Sequence, residues 1–111
     1  LPEWTALLEA LYRLGDYRLI CRLHDIYMVS DNNVLITMMD RLLLMLAHIR
    51  CGKTEPASLM ARSILDTDIT HIHNYDKRMR YEGIKHVTAR IAENLSAYGT
   101  DFDMASSDPF S

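Results

Sequence analysis

The sequence predicts an all-α fold: two to three stacked antiparallel helical hairpins followed by an extended C-terminal tail. Three observations carry this. Gly15, Gly52 and Gly83 recur at spacings of 37 and 31, which average 34, and a fixed period of this size is the mark of a repeat architecture. Apolar residues fall at helical spacing through most of residues 1–98. Residues 1–34 read as one whole unit, with two short amphipathic segments, a Gly15-Asp16-Tyr17 turn and a polar exit at Ser30-Asp31-Asn32-Asn33. The expected organisation is a hairpin-repeat domain over 1–98, with units of about 1–34, 35–68 and 69–98, and an acidic polar tail over 99–111.

The first helix is expected from about Glu3 to Leu14. Pro2 suits a first turn, where a missing N–H costs nothing. Trp4, Leu7, Leu8, Leu11 and Leu14 form its apolar stripe, and Gly15 can take the left-handed conformation that ends a helix. The second helix runs from about Asp16 to Met28 on Leu19, Ile20, Leu23, Ile26 and Tyr27, and Ser30 to Asn33 close it as a capping turn. The third, about Asn33 to Arg50, is apolar nearly all round and should be covered on most sides. Cys51 to Pro56 is a turn, with Pro56 opening a fourth helix that ends at Asp66-Thr67-Asp68. Thr70 to Glu82 reads as a short fifth helix, separated by Gly83 from a sixth over about Ile84 to Tyr98.

Composition bounds the function. The chain has 111 residues, enough for one domain with a modest core. A net charge of −3 is unlike a strongly basic nucleic-acid binder. The longest apolar run, Leu42 to Ala47, is six residues, far short of a bilayer span. Two Cys among seven Met suggest reduced, intracellular thiols, in the cytoplasm or an organelle such as the mitochondrion. The start at Leu1 rather than Met suggests a processed or excised chain.

The first unit resembles the tetratricopeptide repeat family. Trp4 and Leu7 stand where that family packs its first helix, Gly15-Asp16-Tyr17 matches its interhelix turn, and Asp31 and Asn33 match its exit. Leu44, Gly52, Ala57 and Asp68 fall at equivalent places in the second unit, and Tyr75, Met79, Gly83, Ala92 and Leu95 in the third. Ile20 and Thr88 replace a small residue of the pattern, which implies wider helix packing. The resemblance implies a groove lined by first helices. Its residues would be Thr5, Glu9, Tyr12 and Arg13; then Met39, Leu42, Leu46, Ile49 and Arg50; then His73, Lys77, Arg80 and Tyr81. A greasy middle and a basic end suit an apolar protein segment with an acidic flank. Met39, Leu42, Leu46 and Ile49 would alternatively be ordinary core or pack on the tail. The pentatricopeptide family shares the architecture, but its base-reading positions hold Ala6 and Leu43, which cannot hydrogen-bond a base edge. A compact adaptor bundle of death-fold type is the non-repeating alternative.

Little in the chain points to catalysis. It has no phosphate-binding glycine loop, no nucleophile elbow and no dinucleotide motif. Cys21-x2-His24 and His48-x2-Cys51 form a mirrored pair, each at a spacing that puts both side chains on one helix face. A Cys2His2 zinc site on neighbouring helices is one reading; buried packing residues are the other. No cofactor is expected. Lys77-Arg78-x-Arg80 beside Tyr75 and Tyr81 would anchor an acidic protein or, with Lys85 and Arg90, an RNA. The tail should be disordered unless a neighbouring subunit holds it. The expected function is a non-catalytic protein–protein interaction scaffold, or an accessory or assembly subunit of a larger complex. The rival is an RNA-associated subunit of an organellar ribonucleoprotein.

Overall fold

A computed structural model of the chain describes residues 4–28 and 36–110. Its helices are α1 (Trp4–Arg13), α2 (Tyr17–Leu23, continued by a π-helical turn over His24–Met28), α3 (Met38–Arg50), α4 (Thr54–Leu65) and α5 (Tyr75–Tyr98). No strand occurs among the described residues, so the all-α expectation holds. Pro2, Glu3 and the expected exit at Ser30 to Asn33 lie outside the described residues.

The turns after α1 and α3 are built alike. Each spans three residues, Leu14-Gly15-Asp16 and Cys51-Gly52-Lys53. Gly15 and Gly52 take φ of +81° and +75°, a conformation costly for any residue with a Cβ. In the first, the Gly15 N–H donates to the Tyr12 carbonyl at 3.0 Å and the Asp16 N–H to the Leu11 carbonyl at 2.9 Å. In the second, the Gly52 N–H donates to Ile49 at 3.0 Å and the Lys53 N–H to His48 at 2.8 Å. Both are Schellman closures, which satisfy the last free carbonyls of a helix. Burial repeats with them at the same spacing of 37: Leu8 and Met45, Tyr12 and Ile49, Ile20 and Ala57, His24 and Ala61 are all buried.

α3 is the centre of the core. Every residue from Leu42 to Ile49 is buried, as its all-round apolar sequence requires, and it packs against α1, α2, α4 and α5. Its start is fixed by a capping box, with the Asp40 N–H donating to Thr37 Oγ1 at 3.1 Å and the Thr37 N–H to the Asp40 carboxylate at 3.0 Å. The α4–α5 connection is held by Lys85, whose Nζ donates to the Thr67 carbonyl at 2.6 Å.

Two expectations are corrected. The chain does not break at Gly83: the two helices expected over Thr70–Glu82 and Ile84–Tyr98 are one, α5, of 24 residues. Asn74 starts it by accepting from the Lys77 N–H at 2.9 Å, and Gly99, at φ +63°, ends it. A glycine inside a helix costs only about 1 kcal/mol, too little to stop a helix that later buries Ile84, Thr88, Ile91 and Leu95. The unit expected over 69–98 therefore holds one long helix, over Tyr75–Tyr98, in place of a third hairpin. The tail is not extended either. Met104 and Asp108 are buried, and Phe102 and Phe110 pack against the core. The radius of gyration, 13.5 Å, is close to the ~13 Å of a compact domain this long. No helix among the described residues is long and apolar enough to cross a membrane.

Candidate functional site

Cys21, His24, His48 and Cys51 come together where α2 faces the end of α3. Three-residue spacing puts Cys21 and His24 on one face of α2, and His48 and Cys51 on one face at the end of α3. Cys21 Sγ lies 3.3 Å from His48 Nδ1, and His48 Nε2 lies 2.9 Å from His24 Nδ1. The two rings meet edge to face, with centroids 5.2 Å apart. Cys51 stands at the C-cap of α3, beside the same cluster. Cys21, His24 and His48 are buried, whereas Cys51 is half-buried.

Burial sets the charge of the cluster. It lowers His24 below the usual histidine range and takes His48, next to a second imidazole, down to about 4. It pushes the Cys21 thiol up to about 12, with Cys51 adding to the effect. All three groups are thus neutral at pH 7. Two proton arrangements satisfy the chain of neutral rings. In one, the Cys21 S–H donates to His48 Nδ1 and the His48 Nε2–H to His24 Nδ1; in the other, both links run in reverse.

The cluster is a line, not a cage. His48 turns one nitrogen to Cys21 and the other to His24, on opposite sides of its ring. One ion cannot bind both. No three His, Cys, Asp or Glu side chains among the described residues are placed to hold a metal ion. The four residues of the Cys2His2 zinc reading lie in one neighbourhood but do not converge on one point.

A cavity of about 570 Å³ opens beside this cluster, between the two Schellman turns. Cys21 and Cys51 line it together with Arg18, Arg22, Arg50 and Lys53. No acidic side chain but Asp16 lines it, so it presents positive potential to an entering anion.

The groove expected from the repeat resemblance is largely filled by the chain itself. Leu42, Leu46 and Ile49 are core, and Met39 is half-buried. Thr5 donates to the Asp40 carboxylate at 2.5 Å, and Glu9 faces Arg13 at 3.9 Å. Tyr12, Arg13 and Arg50 hold the tail. Arg50 Nη2 donates to Asp108 Oδ2 at 2.7 Å, and the Tyr12 hydroxyl donates to the same oxygen. The Phe110 ring lies 5.5 Å from that of Tyr12, with the Arg13 guanidinium 5.3 Å above it. Burial and the Asp108 carboxylate raise the Tyr12 hydroxyl far above its ordinary value, while Tyr12 and Asp108 hold Arg50 charged against its partial burial. Only the third set stays open: His73, Lys77 and Arg80 are exposed, and Lys77 sits 5.7 Å over the half-buried Tyr81 ring. Sequence reasoning missed Met104, Asp108 and Phe110 as anchors. Their signal was present in the apolar residues Phe102, Met104 and Phe110, spaced through an otherwise polar tail.

Fold and site together define an all-α chain whose first four helices make two like-built turns around a buried central helix. No family model, curated protein or solved structure matches it.

Proposed function

We propose that the protein is a non-catalytic interaction module, built on tetratricopeptide-like hairpins, that serves as an accessory or assembly subunit of a larger intracellular complex. The carrying observation is the start of α5. The helix buries nothing before Ile84, so Tyr75 to Arg80 project from the body with every side chain exposed. Tyr75 is 72% and Met79 49% exposed, one helical turn apart on the same face. An apolar stripe of this kind beside Lys77 and Arg80 suits an acidic, partly apolar protein segment.

The repeat reading is supported by the like-built turns and by burial recurring at a spacing of 37. It is supported too by the order of packing, in which α3 rests on α1 and α2, and α5 on α4 and α3. RNA reading of the pentatricopeptide type is disfavoured because Leu43 is fully buried.

The test is a triple variant, Tyr75→Ser, Met79→Ser and Arg80→Glu. Helix content and thermal midpoint should stay within error of the wild type, because none of the three touches the core. Proteins that co-purify stoichiometrically with the wild-type chain should be lost. Retention of the same proteins by the variant rejects the reading. Co-purifying RNA that salt releases would favour the ribonucleoprotein role instead.

A further inference from the structure

We propose that Cys51 and Cys21 are the entry and resolving thiols of a reversible disulfide, formed by exchange with a small anionic disulfide of the glutathione type seated in the basic cavity. Three observations meet here. Cys21 lies on α2 and Cys51 caps the end of α3, two elements that pack on each other. Both line one open cavity of about 570 Å³. The side chains around that cavity include Arg18, Arg22, Arg50 and Lys53, a composition suited to the carboxylates of such a molecule.

Exposure fixes the order of events. Cys51 is half-buried and faces the cavity, whereas Cys21 is only 1% exposed and its thiol is held protonated by burial. The Cys51 thiolate attacks one sulfur of the small disulfide. That S–S bond breaks, and one small thiolate leaves with the bonding pair. The Cys21 sulfur then attacks Cys51 Sγ, giving up its proton to the departing small thiolate as it does so. The mixed disulfide breaks, and the second small molecule leaves as a thiol. Two protein thiols are oxidised by two electrons, and one small disulfide becomes two thiols. The product ties α2 to the turn between α3 and α4, fixing the first hairpin to the second.

The experiment uses the full chain, reduced, desalted and incubated with glutathione disulfide, and read by intact mass and peptide mapping. The wild type should lose two hydrogens, carry no lasting adduct, and yield a linked peptide pair containing Cys21 and Cys51. That mapping needs no variant. Cys21→Ala should stop with one glutathione on Cys51, and Cys51→Ala should acquire neither adduct nor cross-link over the same period. Arg18 and Arg22 are exposed, so the pair Arg18→Glu and Arg22→Glu should fold normally. That pair should slow the reaction with glutathione disulfide roughly tenfold and leave the cationic disulfide cystamine as fast or faster. The inference is overturned if Cys51→Ala reacts as fast as the wild type. A stable wild-type adduct with Cys21 still alkylatable overturns it, and so does charge reversal without effect on either reagent.

Discussion

Single side chains in the core already make this protein sensitive to acid. His48 has partners at both ring nitrogens and almost no contact with solvent. Unfolded, it titrates near 6.5; folded, it is held down to about 4 by burial and by His24. Between those values the unfolded chain binds more protons, so stability falls as pH falls through this window and is level above it. His24 shifts in the same direction. The loss from His48 alone is on the order of 3 kcal/mol. Urea melts from pH 7.5 to 4.5 measure it, and an unchanged midpoint would show the folded rings accepting protons freely. Thr88 is a second case. Its hydroxyl is fully buried in α5 with no hydrogen-bond partner. Thr88→Val keeps the shape and removes the unmet polar atom, so we expect a gain of about 1 kcal/mol in denaturant melts. A loss would mean the oxygen is solvated.

At the level of helices, the three glycines that suggested a period are not equivalent. Gly15 and Gly52 hold positive φ in matching closures. Alanine at either should cost about 1–2 kcal/mol through backbone strain, although neither site is sterically crowded. Gly83 lies inside α5, and a Cβ there would meet nothing within 4 Å. Gly83→Ala should therefore stabilise by up to about 1 kcal/mol. Thermal midpoints moving in opposite directions check both arms. The contrast explains what the sequence could reveal. A turn that demands a left-handed residue leaves a glycine behind, so the first two closures were legible. A helix merely tolerates glycine, so the third position mimicked the period without obeying it. The thiol–imidazole cluster was half-legible for a similar reason. Helical spacing placed Cys21 with His24 and His48 with Cys51. Only the packing of α2 on α3 decides that His48 sits between its neighbours rather than beside them.

For the molecule as a whole, the tail matters most. Its docking was not legible, because the partners Tyr12 and Asp108 lie 96 positions apart and no local pattern links them. The Asp108 side chain is almost wholly enclosed, while Arg50 keeps about a third of its surface in solvent (31%). Asp108→Ala leaves Arg50 free to rehydrate, so we expect a cost of about 2 kcal/mol, near the low end for a broken buried pair. Asp108→Asn should recover part of it by keeping a hydrogen-bond acceptor. Equal melts for Asp108→Ala and the wild type would mean the tail is not docked in solution. A contact of such sequence separation also has kinetic consequences. Closing it requires a long excursion of chain before any reward is collected, so the segment after Gly99 belongs to the last events of folding. By the same logic it belongs to the first events of local opening. The Asp108 amide, bonded to the Met104 carbonyl at 2.7 Å, should exchange its hydrogen for deuterium well ahead of the amides of α3.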